Sequence, residues 1–123
     1  MIKHYTDLIV WQRSHKLFLD IVKDVDIFPN KRAANTIADQ IIRSSGSISA
    51  NIAEGFNRSK AKFLNSLDIA LGEANETENW LYKIRDLKYI DIIIAENQIE
   101  ETKIICKMLN SLISKIKLRK TNT

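Results

Sequence analysis

The sequence predicts an all-α protein, an antiparallel up-down-up-down four-helix bundle. Three observations carry this. Apolar residues recur at alternating steps of three and four along four separate segments, the spacing that lines one face of a helix. One Pro and three Gly in 123 residues are too few for the turns of a β sandwich. The third is a run of small residues from Ser44 through Ser47-Ile48-Ser49-Ala50-Asn51-Ile52-Ala53-Glu54-Gly55, too small to fill a core and suited to a helix pressed closely against neighbours.

The first helix is predicted over roughly 7–28. Leu8, Trp11, His15, Phe18, Val22 and Val25 form one stripe, and Val10, Leu17, Ile21 and Phe28 form a second beside it. Thr6 or Asp7 is expected to cap its start, and Pro29-Asn30 to end it, because Pro disfavours helical geometry in the residue before it. The second helix is predicted over 33–56, with Ala34, Ile37, Ile41, Ile48 and Ile52 on one side. Gly46 suggests a bend or a close helix contact near Ser49, and Gly55 a C-terminal cap or short connection.

Ser59 reads as the cap of a third helix over 60–88, in which Phe63, Leu67, Ala70, Ala74, Thr77, Leu81 and Ile84 form the stripe. Ala70, Gly72 and Ala74 are expected to face the small residues of the second helix. Asp91 is expected to cap a fourth helix over 91–119, with Ile94, Ile105, Leu109, Leu112 and Ile116 inward and Ile104, Cys106 and Met108 widening the stripe. Short connections between four such helices imply a single bundle domain over 1–123. The stripes on the first and fourth helices are wider than one core requires, and surplus apolar surface of that kind usually becomes a subunit interface.

A single cysteine, Cys106, excludes an intrachain disulfide, and its apolar neighbours Ile104, Ile105, Met108 and Leu109 mark it as a small buried hydrophobe. The N-terminal stretch lacks an apolar signal core and no run approaches the ~20 apolar residues of a membrane span, so a soluble, cytoplasmic protein with no membrane partner is expected.

The net charge of +4 is unevenly spread. Residues 1–29 are balanced; residues 30–62 carry six bases against two acids; residues 63–82 carry four acids and no base; residues 83–123 carry nine bases against five acids. Such segregation docks helices on one another or presents a basic face to a polyanion. The bases gather in two groups: Arg58, Lys60 and Lys62 bracket the connection between helices two and three, and Lys115, Lys117, Arg119 and Lys120 close the chain with no acid among them. In an antiparallel bundle both groups fall at one end. Bases at a helix C-terminus also favour its dipole without any ligand.

Catalysis finds little support. His4 and His15 stand eleven residues apart with no cysteine near either, so no zinc motif forms. His15 occupies a core stripe, where a structural histidine is expected, and Ser47 lacks a Ser-His-acid context in sequence. Glu73 and Glu76 share a helix face, which a divalent ion can bridge, yet the His of a ferritin-like Glu-x-x-His site is missing. Ion pairing of the Glu73, Glu76 and Glu78 cluster with Arg43 or Arg85 is the plainer expectation. No catalytic residue, metal site or cofactor is assigned, and the protein is read as a non-enzyme.

In order and spacing these motifs resemble the small four-helix-bundle proteins encoded in intervening sequences of bacterial 23S ribosomal RNA genes. The residues that carry the resemblance are Leu8-Ile9-Val10-Trp11-Gln12-Arg13-Ser14-His15, Gln40-Ile41-Ile42-Arg43-Ser44-Ser45, the run Ser47 to Gly55, Phe63-Leu64, Ala70-Leu71-Gly72-Glu73-Ala74 and Glu76-Thr77-Glu78. This chain has Ser49 where the family usually has Pro, which puts a kink there in doubt. The resemblance implies a left-handed antiparallel bundle that assembles as a homopentamer, with a weakly defined role in binding nucleic acid. A related branch is similar to the accessory protein of diversity-generating retroelements, which partners a reverse transcriptase and RNA.

Within that frame Trp11, His15, Arg43, Ser47, Ala50, Asn51, Glu54, Gly55 and Glu76 are expected to serve structure or a subunit interface. The seven bases named above are the candidate contacts to structured RNA or DNA, made to the backbone with little sequence selectivity. The alternatives are an adaptor that docks a nucleic-acid-processing protein, a protein with no essential cellular role, or a carboxylate metal enzyme at Glu73 and Glu76.

Overall fold

Ile and Leu side chains on four segments are withdrawn from water together in a computed structural model that describes residues 1–119. A one-turn 3-10 helix at Tyr5–Asp7 leads into α1 (Ile9–Val25), α2 (Arg32–Gly55), α3 (Lys60–Asp86) and α4 (Ile92–Lys117). The fold is all-α, with four α-helices and no strand among the described residues. Each helix touches two neighbours in the cyclic order α1, α2, α3, α4, the α1/α4 seam being the thinnest. No described helix is long and apolar enough to cross a membrane.

The pairing along each seam is legible from single contacts. On α2 and α3, Gly55 meets Phe63 and Ser66, whereas Ser44 meets Thr77, so rising residue number on one helix accompanies falling number on the other. On α3 and α4, Lys60 reaches the backbone of Lys117 and Arg119, and Cys106 lies 3.5 Å from Asn75. Across α1 and α4, Arg13 grips Glu101 through two bonds of 2.7 and 2.9 Å, and the Gln98 amide donates to Asp24 at 2.5 Å.

The core holds Ile41, Ile48 and Ile52 of α2, Leu67, Leu81 and Ile84 of α3, and Ile105, Leu109 and Ile116 of α4, each fully buried at roughly 1.5–3 kcal/mol of transfer free energy per side chain. Most polar groups in the interior are hydrogen-bonded; among the described residues Gln98 Oε1 is buried without a partner, although the Gln98 amide donates to Asp24. Ser14 donates to Val10 O at 2.7 Å, Ser45 to Ile41 O at 2.6 Å and Thr102 to Ile99 O at 2.6 Å, while Thr77 is hydrogen-bonded to both Ser44 Oγ and Glu73 O at 2.9 Å. These back-bonds satisfy each hydroxyl on its own helix, so small residues sit inside where helices approach closely.

Several expectations are corrected. The inward face of α1 is Val10, Ser14, Leu17 and Ile21; the stripe through Trp11, Phe18 and Val22 flanks it, and His15 is exposed and not a core histidine. The two stripes lie one residue apart, and the polar Ser14 masks the inner one. On α4 the inward positions are Ala95, Gln98, Ile99, Thr102, Ile105, Leu109 and Ile116, while Ile94 is exposed, because small and polar residues occupy interior positions that a hydropathy pattern passes over. Gly72 has open space around its Cα and faces solvent, so only Ala70 and Ala74 serve the packing.

The helix ends differ too. Leu8 is the N-cap of α1 without a side-chain bond; His4 instead caps the preceding 3-10 turn, and Asp7 accepts from Lys3 N and His4 N at 2.9 and 3.0 Å. Helix α1 stops at Val25, before Pro29, and α2 runs unbroken through Gly46, whose Cα faces the Phe18 ring. Gly55 is a helical residue without positive φ, so close contact explains it and capping does not; the left-handed turn falls on Asn57 at φ 60°. Ser59 and Asp91 cap α3 and α4 through Lys62 N (3.3 Å) and through Ile93 N and Ile94 N (2.8 and 3.4 Å).

Candidate functional site

The bases named from sequence collect where the α2/α3 connection meets the end of α4. Ser59 starts α3, which sets Lys60 in its first turn with its side chain free to cross to α4. The Lys60 ammonium donates to Lys117 O at 3.2 Å and Arg119 O at 2.7 Å. Those carbonyls belong to the last turn of α4 and the residues after it, where the helix has run out of amide donors and its dipole is negative. Lys60 therefore acts as a cross-helix cap and ties the two basic groups together.

Around that tie Arg58, Lys62, Lys115, Lys117 and Arg119 are exposed, and Lys60 is half-buried. Lys120 lies outside the described residues. Five charged, solvated side chains thus make one end of the bundle a positively charged surface.

The N-terminal turn brings aromatic rings to the same end. Tyr5 lies 6.4 Å from Phe56 between ring centroids and 5.6 Å from Trp11, and Phe56 in turn meets the buried Phe63 edge-on at 6.2 Å. Trp11 stacks on His15 at 4.8 Å with 12° between planes, and His4 covers Tyr5 at 4.0 Å. Along the chain only Phe56 and Phe63 lie near the basic residues. The other rings are some fifty residues away along the chain, and only helix packing unites them.

A second polar cluster lies on the α2/α3 surface. Arg43 bonds Glu73 at 3.2 Å and also Glu76, and Glu76 accepts from Trp80 Nε1 at 3.0 Å. The Trp80 indole first and the Arg43 guanidinium second hold the Glu76 carboxyl below its usual range, and Glu76 in turn raises Arg43. Arg85 pairs with Asp86 instead of this cluster. Arg43 is half exposed, so the pair is a surface network and not a buried one. Among the described residues no group of three or more His, Cys, Asp or Glu is arranged to hold a metal ion.

The remaining predicted positions on α2 divide by depth. Gly55 is buried against Ser66, Ser47 and Asn51 are half-buried, and Ala50 and Glu54 are exposed. The Ser47 hydroxyl donates to Arg43 O at 2.8 Å and the Asn51 amide to Ser47 O at 2.8 Å, so both are spent within their own helix. Burial, with a smaller contribution from Glu78, pushes the Cys106 thiol above its ordinary value and away from the reactive thiolate.

Comparisons with known proteins agree with this architecture. The family model described as 23S rRNA-intervening sequence protein matches residues 6–111. A crystal structure of a protein of unknown function from the S23 ribosomal protein family of Bacteroides thetaiotaomicron VPI-5482 is 36% identical, with a TM-score of 0.78, over 86% of this chain and 96% of that chain. No curated protein matches the chain. A family match across most of the chain, with the same helical fold at this identity, leaves one assignment: the chain belongs to the 23S rRNA-intervening sequence protein family.

Proposed function

We propose that this chain is a non-enzymatic, homo-oligomeric scaffold of the cytoplasm whose basic end binds RNA or DNA with little sequence selectivity. The helices run up-down-up-down and antiparallel with a left-handed twist, and copies assemble side by side, five by likeness to the family. The observation that carries the nucleic-acid reading is the bond from Lys60 to the backbone of Lys117 and Arg119, which makes one cationic surface of two groups distant in sequence. Assembly is supported by exposed Ile9 and Leu19 on α1 and exposed Ile93, Ile94 and Ile104 on α4, the helices with surplus apolar surface.

Repeated around a ring, such a surface neutralises many phosphates at once and releases their counterions. The test is fluorescence anisotropy of labelled RNA hairpin and duplex DNA at low and near-physiological salt. Tight binding with a steep salt dependence is expected. Replacing Lys115, Lys117, Arg119 and Lys120 with Gln flattens the slope by roughly 0.9 for each duplex phosphate no longer neutralised; an unchanged slope sinks the assignment.

A second reading has its own observation. Ile92, Ile93 and Ile94 open α4 as exposed residues, and Ile27 and Leu87, beyond the ends of α1 and α3, are exposed too. Apolar surface opposite the basic end favours an adaptor that docks a nucleic-acid-processing protein. Absence of nucleic-acid binding at low salt makes this the leading function.

A further inference from the structure

We propose that the basic end accepts single-stranded nucleic acid, with an unpaired base stacked on the open face of His4. The proposal rests on the nucleic-acid reading above and adds what that reading lacks, a surface for bases.

Four rings stand in a row. His4 to Tyr5 is 4.0 Å between centroids at 34°, Tyr5 to Trp11 is 5.6 Å at 57°, and Trp11 to His15 is 4.8 Å at 12°. Both terminal rings, His4 and His15, are exposed, while Tyr5 and Trp11 between them are half-buried. Tyr5 is also braced edge-on by Phe56, and Phe56 by Phe63 in the core, so the row is anchored and not a loose tail. His4 is the outer, N-terminal member of the row, and its neighbour Tyr5 meets Phe56, which lies two residues before Arg58.

The segment that holds His4 is ordered before any ligand arrives. The His4 ring is hydrogen-bonded to Thr6 Oγ1 at 2.9 Å, the Asp7 carboxylate accepts from the backbone of Lys3 and His4, and Gln12 Nε2 donates to Thr6 O at 2.8 Å. Those bonds fix the ring, so stacking incurs little ordering cost. They also occupy Asp7, the acid nearest the ring, whose carboxyl is held below its usual value by the same backbone N–H groups.

A base on His4 leaves its phosphates beside Lys3, the adjacent residue, at the end of the bundle where Tyr5 meets Phe56 and Arg58 follows two residues on. A basic track beside an aromatic platform is the pairing that single-strand binders use. It tolerates sequence because every base offers a π face. Lys60 is not part of this track, since its ammonium is engaged on α4. Duplex bases are stacked on one another and offer no free π face, so the platform discriminates in favour of unpaired strands.

The test is anisotropy with labelled single strands of about twelve nucleotides, one RNA and one DNA, beside the duplex of the same sequence. Wild-type protein is expected to prefer both single strands. His4→Ala weakens their binding about tenfold and leaves duplex affinity and the salt slope unchanged. His4→Phe restores binding, which separates the ring from the hydrogen bonds His4 makes, because Phe supplies only the ring. His4 is exposed and precedes all four helices, so the substitution spares the core. Equal single-strand binding by wild type and His4→Ala, or no recovery with Phe, overturns the proposal. Wild-type protein that binds duplex as tightly as single strands, steeply salt-dependent, overturns base stacking while leaving phosphate contact intact. Binding to none of the three overturns both.

Discussion

A Cβ placed on Gly55 falls 2.6 Å from Cβ of Ser66, closer than two carbon atoms approach without displacement. Gly55 is thus the point where the end of α2 and the first turns of α3 touch backbone to side chain. Gly55→Ala forces the helices apart and is expected to cost about 1–3 kcal/mol. Thermal unfolding followed by circular dichroism should show Tm lower by about 4–12 °C. Adding Ser66→Gly should recover part of that loss, because it removes the obstructing carbon. An unshifted Tm for Gly55→Ala overturns the contact.

Acid is expected to weaken the α2/α3 surface network. Glu76 has a depressed folded-state pKa, so its contribution to stability is present above the unfolded carboxyl value and is lost as pH falls through the lower folded value. The side chain is 33% exposed, which keeps the contribution under about 1 kcal/mol. Urea unfolding across the acid range should show a shallower loss of stability for Glu76→Gln than for wild type. Trp80→Phe, which removes the first cause of the shift, should reduce the same slope.

Loss of the Lys60 cap should loosen the end of α4. Lys60→Met keeps the aliphatic stem and deletes the donor, leaving the carbonyls of Lys117 and Arg119 to water, at a cost of ~0.3–1 kcal/mol. Hydrogen exchange is the sensitive readout: amides in the last turn of α4 should exchange faster, while those around Leu81 and Ile105 should not change. Uniform acceleration along α4 contradicts a local cap.

Light scattering should return a mass several times 14.2 kDa, near fivefold if the family likeness extends to assembly. Ile94→Lys with Ile104→Lys should shift the mass toward that of one chain, since both side chains are exposed on α4. A clean monomer for the wild type removes the assembly reading and leaves the apolar surface to another protein.

Much of the helix pattern is legible in the sequence because it is local. Three-four spacing specifies a helix regardless of what it meets, and caps such as Ser59 and Asp91 act on amides two or three residues away. Helix ends are less legible, since α1 stops at Val25 in a turn that Pro29 does not control. The orientation of α1 escapes a sequence reading for a related reason. Two apolar stripes compete, and the buried one passes through Ser14, whose hydroxyl is satisfied by Val10 and is therefore cheap to bury. On α4, Thr102 takes an interior place in the same way through Ile99 O, whereas Gln98 is held by its bond to Asp24 on α1 and keeps Oε1 buried and unpaired.

Sequence by itself determined the four helices, the surplus of apolar residues on α1 and α4, the two basic groups and the family. The first three follow from composition, period and order along the chain, and the family from the likeness of the motifs to those of known members. Only the tertiary structure decided which stripe is buried, that Gly55 answers to Ser66, that Arg43 pairs with Glu73 and Glu76 while Arg85 does not, and that Lys60 reaches the end of α4. It alone gathered His4, Tyr5, Trp11 and Phe56 at that same end. Such contacts join residues tens of positions apart, and their partners are chosen by how helices pack, which spacing within any one helix does not encode.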